Sequence, residues 1–276
     1  MTKNGTSYYV PPPSYWPIVG SFALLGLASG FILVLAKQAG GAWIMALGAL
    51  LLIYMLVGWF GSVIREGQAG LLEGQVDVSF RWGMVWFIFS EVMFFAGFFG
   101  ALFYARNVAV PDLAQAQILW PGYTDAWPTA GPALLDPFTP MGAWGIPAIN
   151  TLILLSSGLT VTWAHWGLKA GRRGQLKLGL LLTIILGLLF IALQAYEYLE
   201  TDFTIRTGIY GATFYMLTGF HGLHVSLGAI MLMVITGRVF AGHFNATQHF
   251  GFEAVSWYWH FVDVVWLLLF VFVYWL

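Results

Sequence analysis

The sequence predicts an all-α integral membrane protein of seven transmembrane helices, and three observations predict it. Only 8% of the 276 residues are charged, against about 25% in an ordinary soluble domain. Hydrophobic residues make up 59% and mean hydropathy is +0.79. The 11 prolines fall into two stretches, four in Pro11–Pro17 and seven in Pro111–Pro147. This leaves long proline-free apolar blocks in which every backbone group can bond within a helix. The 11 basic and 12 acidic residues cannot cover a chain of this size in water, where a surface needs roughly 25–35% charge to stay free of apolar patches. A soluble protein is excluded.

The elements follow in order. Residues 1–14 are polar and then prolyl (Pro11-Pro12-Pro13), an extended lead-in. The first apolar run, about Trp16–Leu35, lacks a short core followed by a small-residue cleavage site, so it reads as a true span rather than a signal peptide. Its Gly26-x-x-x-Gly30 is a motif for close helix approach. The second span, about Ala42–Ile64, stops at Arg65-Glu66, and a polar loop occupies 65–79. The third span is about Phe80–Tyr104. A loop of about 107–145 follows, rich in Pro, Gly and Trp, with the acids Asp112, Asp125 and Asp136; so many rigid residues suit a packed cap better than a tether. The remaining spans are about Pro147–Leu168, Leu176–Tyr198, Tyr210–Arg238 and Val255–Leu276, the sixth being long enough to tilt or protrude. The organisation is one membrane domain: a two-helix part (1–64), a loop (65–79) and a five-helix bundle (80–276).

Lys and Arg orient the spans. The N-terminus and the loops after spans two, four and six carry Lys3, Arg65, Arg81, Lys169, Arg172, Arg173, Lys177 and Arg238, and the other side carries Lys37, Arg106 and Arg206. Positive residues concentrate in the cytoplasm, which places the N-terminus inside, the C-terminus and the long loop outside. A net charge of −1 supplies no basic patch, so nucleic acid is excluded as a partner. The absence of cysteine excludes disulfides, thiolate metal sites and thiol chemistry.

Any chemistry rests on the few ionisable groups at membrane depth. Glu91 sits near the middle of span three, where a charge costs about 2.5–3.5 kcal/mol. It reads equally as a proton site or as an interhelical hydrogen bond worth about 1 kcal/mol. His221 and His224, three apart, share a face of span six; His165 and His260 are candidate partners. No His/carboxylate set with metal-site spacing is visible, so these read as hydrogen-bonded core histidines, with no metal assigned. Glu253, His260 and Asp263 form a polar stripe on an aromatic-rich last span, a stripe that should face protein rather than lipid. Arg238, and Arg65 with Glu66, stand at cytoplasmic helix ends where they can meet a phosphate head group or simply snorkel. No catalytic residue is assigned, since no nucleophilic triad, phosphate loop or paired catalytic carboxylates can be argued from spacing.

Several segments resemble the cytochrome c oxidase subunit III family. They are Tyr15-Trp16-Pro17, Ser90-Glu91-Val92-Met93-Phe94-Phe95, Asn150-Thr151-Leu152, Thr162-Trp163-Ala164-His165, Gln194-Ala195-Tyr196-Glu197, Gly219-Phe220-His221-Gly222-Leu223-His224, and Gly251-Phe252-Glu253 with Trp257-Tyr258-Trp259-His260-Phe261-Val262-Asp263. They occur in order over the whole chain, and the outer loop is similar to that of some bacterial members. The resemblance implies a seven-helix subunit with helices 1 and 2 splayed from helices 3 to 7, and phospholipids in the cleft between. It implies no haem or copper in this chain, both being held by partner subunits I (the main contact) and II, with other respiratory complexes as further neighbours. The implied role is to sustain proton uptake and protect the catalytic subunit during turnover, in a bacterial inner membrane. By position, Glu91 matches the family's reactive intramembrane carboxyl, and Trp59, Glu66, Phe87 and Arg238 match lipid-lining positions. The chain departs from the family pattern at Trp59-Phe60, Ala69-Gly70-Leu71-Leu72-Glu73 and His165-Trp166. A quinol oxidase subunit resembles only the last five helices. A proton-coupled transporter and a b-type cytochrome remain alternatives from other classes.

Overall fold

The computed structural model describes residues 8–134 and 137–276. Lys3 and Asp136, used above for orientation and loop charge, lie outside the described residues. Within them the chain is helical with no strand, and seven helices are long and apolar enough to cross a membrane. They are α1 (Trp16–Leu35), α2 (Gly41–Gln68), α3 (Gln75–Tyr104), α5 (Ile146–Lys169), α6 (Arg173–Glu200), α7 (Gly208–Phe240) and α8 (Phe250–Leu269). A short α4 (Val110–Gln115) and wide π-helical turns at Ala105–Ala109 and Phe270–Trp275 complete the set.

The helices outrun their apolar cores. The segment expected as a loop at 65–79 keeps only about its middle, because α2 continues through Arg65 and Glu66 to Gln68 and α3 begins at Gln75. Polar residues end an apolar run without ending a helix, since the backbone hydrogen bonds of a helix do not depend on side-chain polarity. The outer loop likewise begins after Gln115 instead of at 107. Pro111 lies in the first turn of α4, directly after the π-helical turn, where its missing N–H leaves no helical bond unmade. Helix α7 has 33 residues, about 50 Å at 1.5 Å per residue, and exceeds a hydrocarbon core of about 30 Å.

The chain divides into two compact units, Met1–Phe80 and Arg81–Leu276. In the first unit α1 packs on α2 through small residues. A Cβ on Gly26 would stand 3.1 Å from Gly48 Cα, and one on Gly48 would stand 2.8 Å from the Gly26 carbonyl carbon. The outward side chains are apolar, Leu24 and Leu25 being 60% and 63% exposed, as a lipid-facing surface requires. Gly48→Leu is therefore expected to separate the pair, at about 1–3 kcal/mol, seen as a lowered yield of assembled protein and a lower thermal inactivation temperature. Gly61→Ala, where an added Cβ would meet only the tip of Arg65 at 3.7 Å, should leave both unchanged.

In the second unit α5, α6, α7 and α8 pack around Trp259, which is fully buried. Its indole N–H donates to Ser157 Oγ at 2.8 Å, and two glycines make room for its ring: a Cβ on Gly187 or Gly228 would come within 2.7–2.8 Å of it. Trp266 Nε1 donates to Thr151 Oγ1 at 2.9 Å. Each buried indole thus places its one donor on an α5 hydroxyl.

The outer loop is a packed cap. Ile209 and Tyr210 at the start of α7 donate their backbone N–H groups to Ala130 and Thr129 carbonyls at 3.1 and 3.3 Å, so the loop supplies acceptors to orphan donors of the helix. Gly208 adopts φ +59, with Ala130 where a side chain would stand. Asp202 accepts from Thr139 N–H at 3.1 Å, and Tyr210 Oη accepts from Met141 N–H at 3.2 Å.

Candidate functional site

Glu91, on α3, meets His224, on α7: Oε2 and Nε2 are 2.8 Å apart. The other ring nitrogen of His224 lies 2.6 Å from the Phe220 carbonyl, which can only accept. Nδ1 therefore carries a hydrogen, and the Glu91–His224 contact holds one proton shared between carboxyl and imidazole. The pair is enclosed by rings. Phe95 and Phe94 lie 4.9 and 5.8 Å from His224, Tyr258 stacks on it at 6.4 Å, and Phe87 stacks on Tyr258 at 6.1 Å. Glu91 keeps 21% of its side chain accessible. The carboxyl is compensated by a partner from another helix, one of the two readings open from sequence; the pairing with His224 is what the sequence did not reveal.

His221 and His224 do not converge. His221 is buried between Phe190 and Trp266, with centroids at 5.9 and 5.3 Å, and neither of its nitrogens has a partner. His221 thus departs from the hydrogen-bonded core histidine expected from the sequence and is held by ring packing alone. His260 and Asp263 do meet: Nδ1 is 3.3 Å from Oδ2, and Nε2 is 3.2 Å from Thr162 Oγ1 on α5. Gly158 leaves the space Asp263 occupies. Glu253 is separate from this pair. It forms an ion pair with Arg81 of α3 and also faces His165 and His249. The expected stripe on α8 is thus two clusters; Glu253 and Asp263 are buried, while the His260 side chain is 43% exposed.

The four positions matched to lipid contacts are divided between the units. In the first, Trp59 is 44% exposed, Glu66 is half-buried near the last turn of α2, and Arg65 donates to Ser62 Oγ at 3.0 Å. Desolvation and then the Glu66 charge raise the Tyr9 phenol above its ordinary value. In the second unit Phe87 is 47% exposed. Arg238 lays its guanidinium over Phe244 at 4.3 Å, while its Nε is buried without a partner.

Two groups escaped sequence reasoning. His249, just before α8, stands four residues ahead of Glu253 and faces it at 3.2 Å, and that i,i+4 spacing was the signal that could have found it. Glu197, at the end of α6 beside Glu200, looks like an interfacial residue, yet it is 1% exposed and accepts from Tyr274 Oη at 2.7 Å. Near it Gln194 bridges Asn150 and Tyr274, at 3.4 Å each.

The cytochrome c oxidase subunit III family model matches residues 6–276. "Cytochrome c oxidase subunit 3" of Mus musculus is 45% identical over 276 residues, covering 100% of this chain and 99% of the relative. The protein of the same description from Danio rerio is 44% identical over the same shares, and that of Prototheca wickerhamii 42% identical over 268 residues, 97% and 96% of the two chains. Full-length similarity at this level, with seven apolar helices, excludes a match confined to the last five. The chain belongs to the cytochrome c oxidase subunit III family and is a subunit of that respiratory oxidoreductase complex.

Proposed function

We propose that the chain is a supporting subunit with no haem or copper of its own, which binds phospholipid, sustains proton uptake and stabilises the catalytic subunit. The observation that carries this reading is the state of its intramembrane polar groups. Glu91 and Asp263 each pair with a histidine of the same chain, which accounts for these groups as contacts within the chain. Subunit I is its main contact and subunit II belongs to the same assembly; haem and copper reside in those partners. The basic residues orient the N-terminus to the cytoplasm and the C-terminus to the periplasm of a bacterial inner membrane.

Trp59, Glu66, Phe87 and Arg238 serve as lipid contacts. Arg238 suits a phosphate because its guanidinium, over the Phe244 ring at 4.3 Å, is a charged multiple donor at a helix end. Arg238→Ala is expected to lower the phospholipid retained by the purified complex and to shorten its lifetime in turnover. Unchanged phosphorus content and lifetime would count against the assignment.

Glu91 assists proton supply without being an obligatory relay, since its proton is shared with one histidine and no further chain of titratable groups leads on from His224 among the described residues. Glu91→Gln should leave pumping in place, with a reduced proton-uptake rate in reconstituted vesicles. Abolished pumping in an assembled complex would refute this.

A further inference from the structure

We propose that His165, His249 and Glu253 form a binding site for a divalent transition-metal ion of the zinc class. Their ligand atoms all lie within 4.8 Å of one another, and they come from three places in the chain: the end of α5, the turn before α8, and the first turn of α8. Nothing in the functional reading above uses them together.

The hydrogen positions carry the argument. His249 Nδ1 lies 3.1 Å from the Asn245 carbonyl, an acceptor only, so Nδ1 bears a hydrogen and a neutral ring turns the Nε2 lone pair outward. That lone pair faces Glu253 Oε1 at 3.2 Å. His165 Nε2 faces the same oxygen at 3.4 Å, and it is buried without a hydrogen-bond partner. With His165 in its Nδ1–H tautomer as well, three acceptor atoms point at one place. Two protons, one on each nitrogen, would let Oε1 accept from both rings; a cation with several coordination positions joins all three atoms with the rings neutral.

The spacing suits zinc. Tetrahedral bonds of about 2.0–2.1 Å place neighbouring ligand atoms about 3.3–3.4 Å apart, and the two nitrogen–oxygen separations are 3.2 and 3.4 Å. The supporting groups are also present. The Asn245 carbonyl fixes the tautomer and angle of His249, and Arg81 bonds Oε2 of Glu253, leaving Oε1 as the ligand oxygen. Phe252 flanks His165 at 5.4 Å, and Phe250 lies under Arg81 at 5.1 Å, so the site has apolar walls. A carboxylate with two imidazoles leaves a fourth position for water, and the bound ion would tie the end of α5 to the start of α8. Arg81 adds positive charge, which lowers affinity and favours a reversibly bound ion.

The test is equilibrium dialysis of the chelator-treated oxidase complex against Zn²⁺. His165→Ala and His249→Ala complexes should each bind one equivalent fewer than wild type, or bind it more weakly by roughly 100-fold or more, since loss of a ligand exceeds loss of an outer-shell partner. The exposed neighbour His243, changed to Gln, should bind as wild type does. Equal stoichiometry and affinity in wild type, His165→Ala and His249→Ala would overturn the proposal. Should the alanine variants fail to assemble, the wild-type complex answers by histidine modification with diethylpyrocarbonate. Zn²⁺ should protect His165 and His249 and not His243, and equal modification with and without the ion would equally overturn it.

Discussion

Replacing Trp259 with alanine is expected to destabilise the second unit by about 3–5 kcal/mol, the range for truncating a fully buried tryptophan. In a membrane this loss is mainly packing, because lipid tails are as apolar as the side chain and little water is involved. Trp259 fills the space left by Gly187 on α6 and Gly228 on α7, and its N–H satisfies Ser157 on α5. Its removal leaves contacts unmade on three helices at once. Thermal inactivation of the complex and the yield of assembled subunit should both fall sharply. Trp259→Phe should recover much of the packing while leaving Ser157 without its donor. A Trp259→Ala complex as stable as wild type would show that the helices are held elsewhere.

The second large effect is expected at Glu253. Removing one partner of a buried ion pair leaves an uncompensated charge and costs about 3–5 kcal/mol. The Arg81 side chain is 34% exposed, which lets water recover part of this, so Glu253→Ala should cost about 2–3 kcal/mol. The double variant Arg81→Ala, Glu253→Ala should be less destabilised than the sum of the two single changes, because neither charge is then left alone. Strict additivity in thermal inactivation would contradict a direct pairing of α3 with α8.

Span number and position were legible in the sequence because lipid imposes a plain rule: each crossing must be a long apolar helix. Trp16–Leu35 was readable to the residue. The ends of α2 and α3 were not, since the helices continue past their apolar parts into polar sequence, nor was the extension to Gln115, where Pro111 occupies a tolerated position. Among the polar groups, His260 and Asp263 were readable as neighbours because they lie three apart on one helix. Glu91 with His224, and Arg81 with Glu253, join residues more than a hundred apart; periodicity carries no information about which helix faces which. His249 and Glu253 lie four apart and their contact was readable from spacing; the approach of His165 to them was not, because it depends on how α5 meets the start of α8.

The central claim is that this chain supports the oxidase without performing its chemistry, and stripping it from the purified complex tests that most directly. The account predicts that the depleted complex keeps its haem spectrum and still turns over, at an initial rate lowered no further than its proton uptake. It then loses activity faster than the intact enzyme, and rebinding the wild-type chain restores the lifetime. A haem band that leaves with this chain, or an initial rate abolished by its removal, would contradict the account.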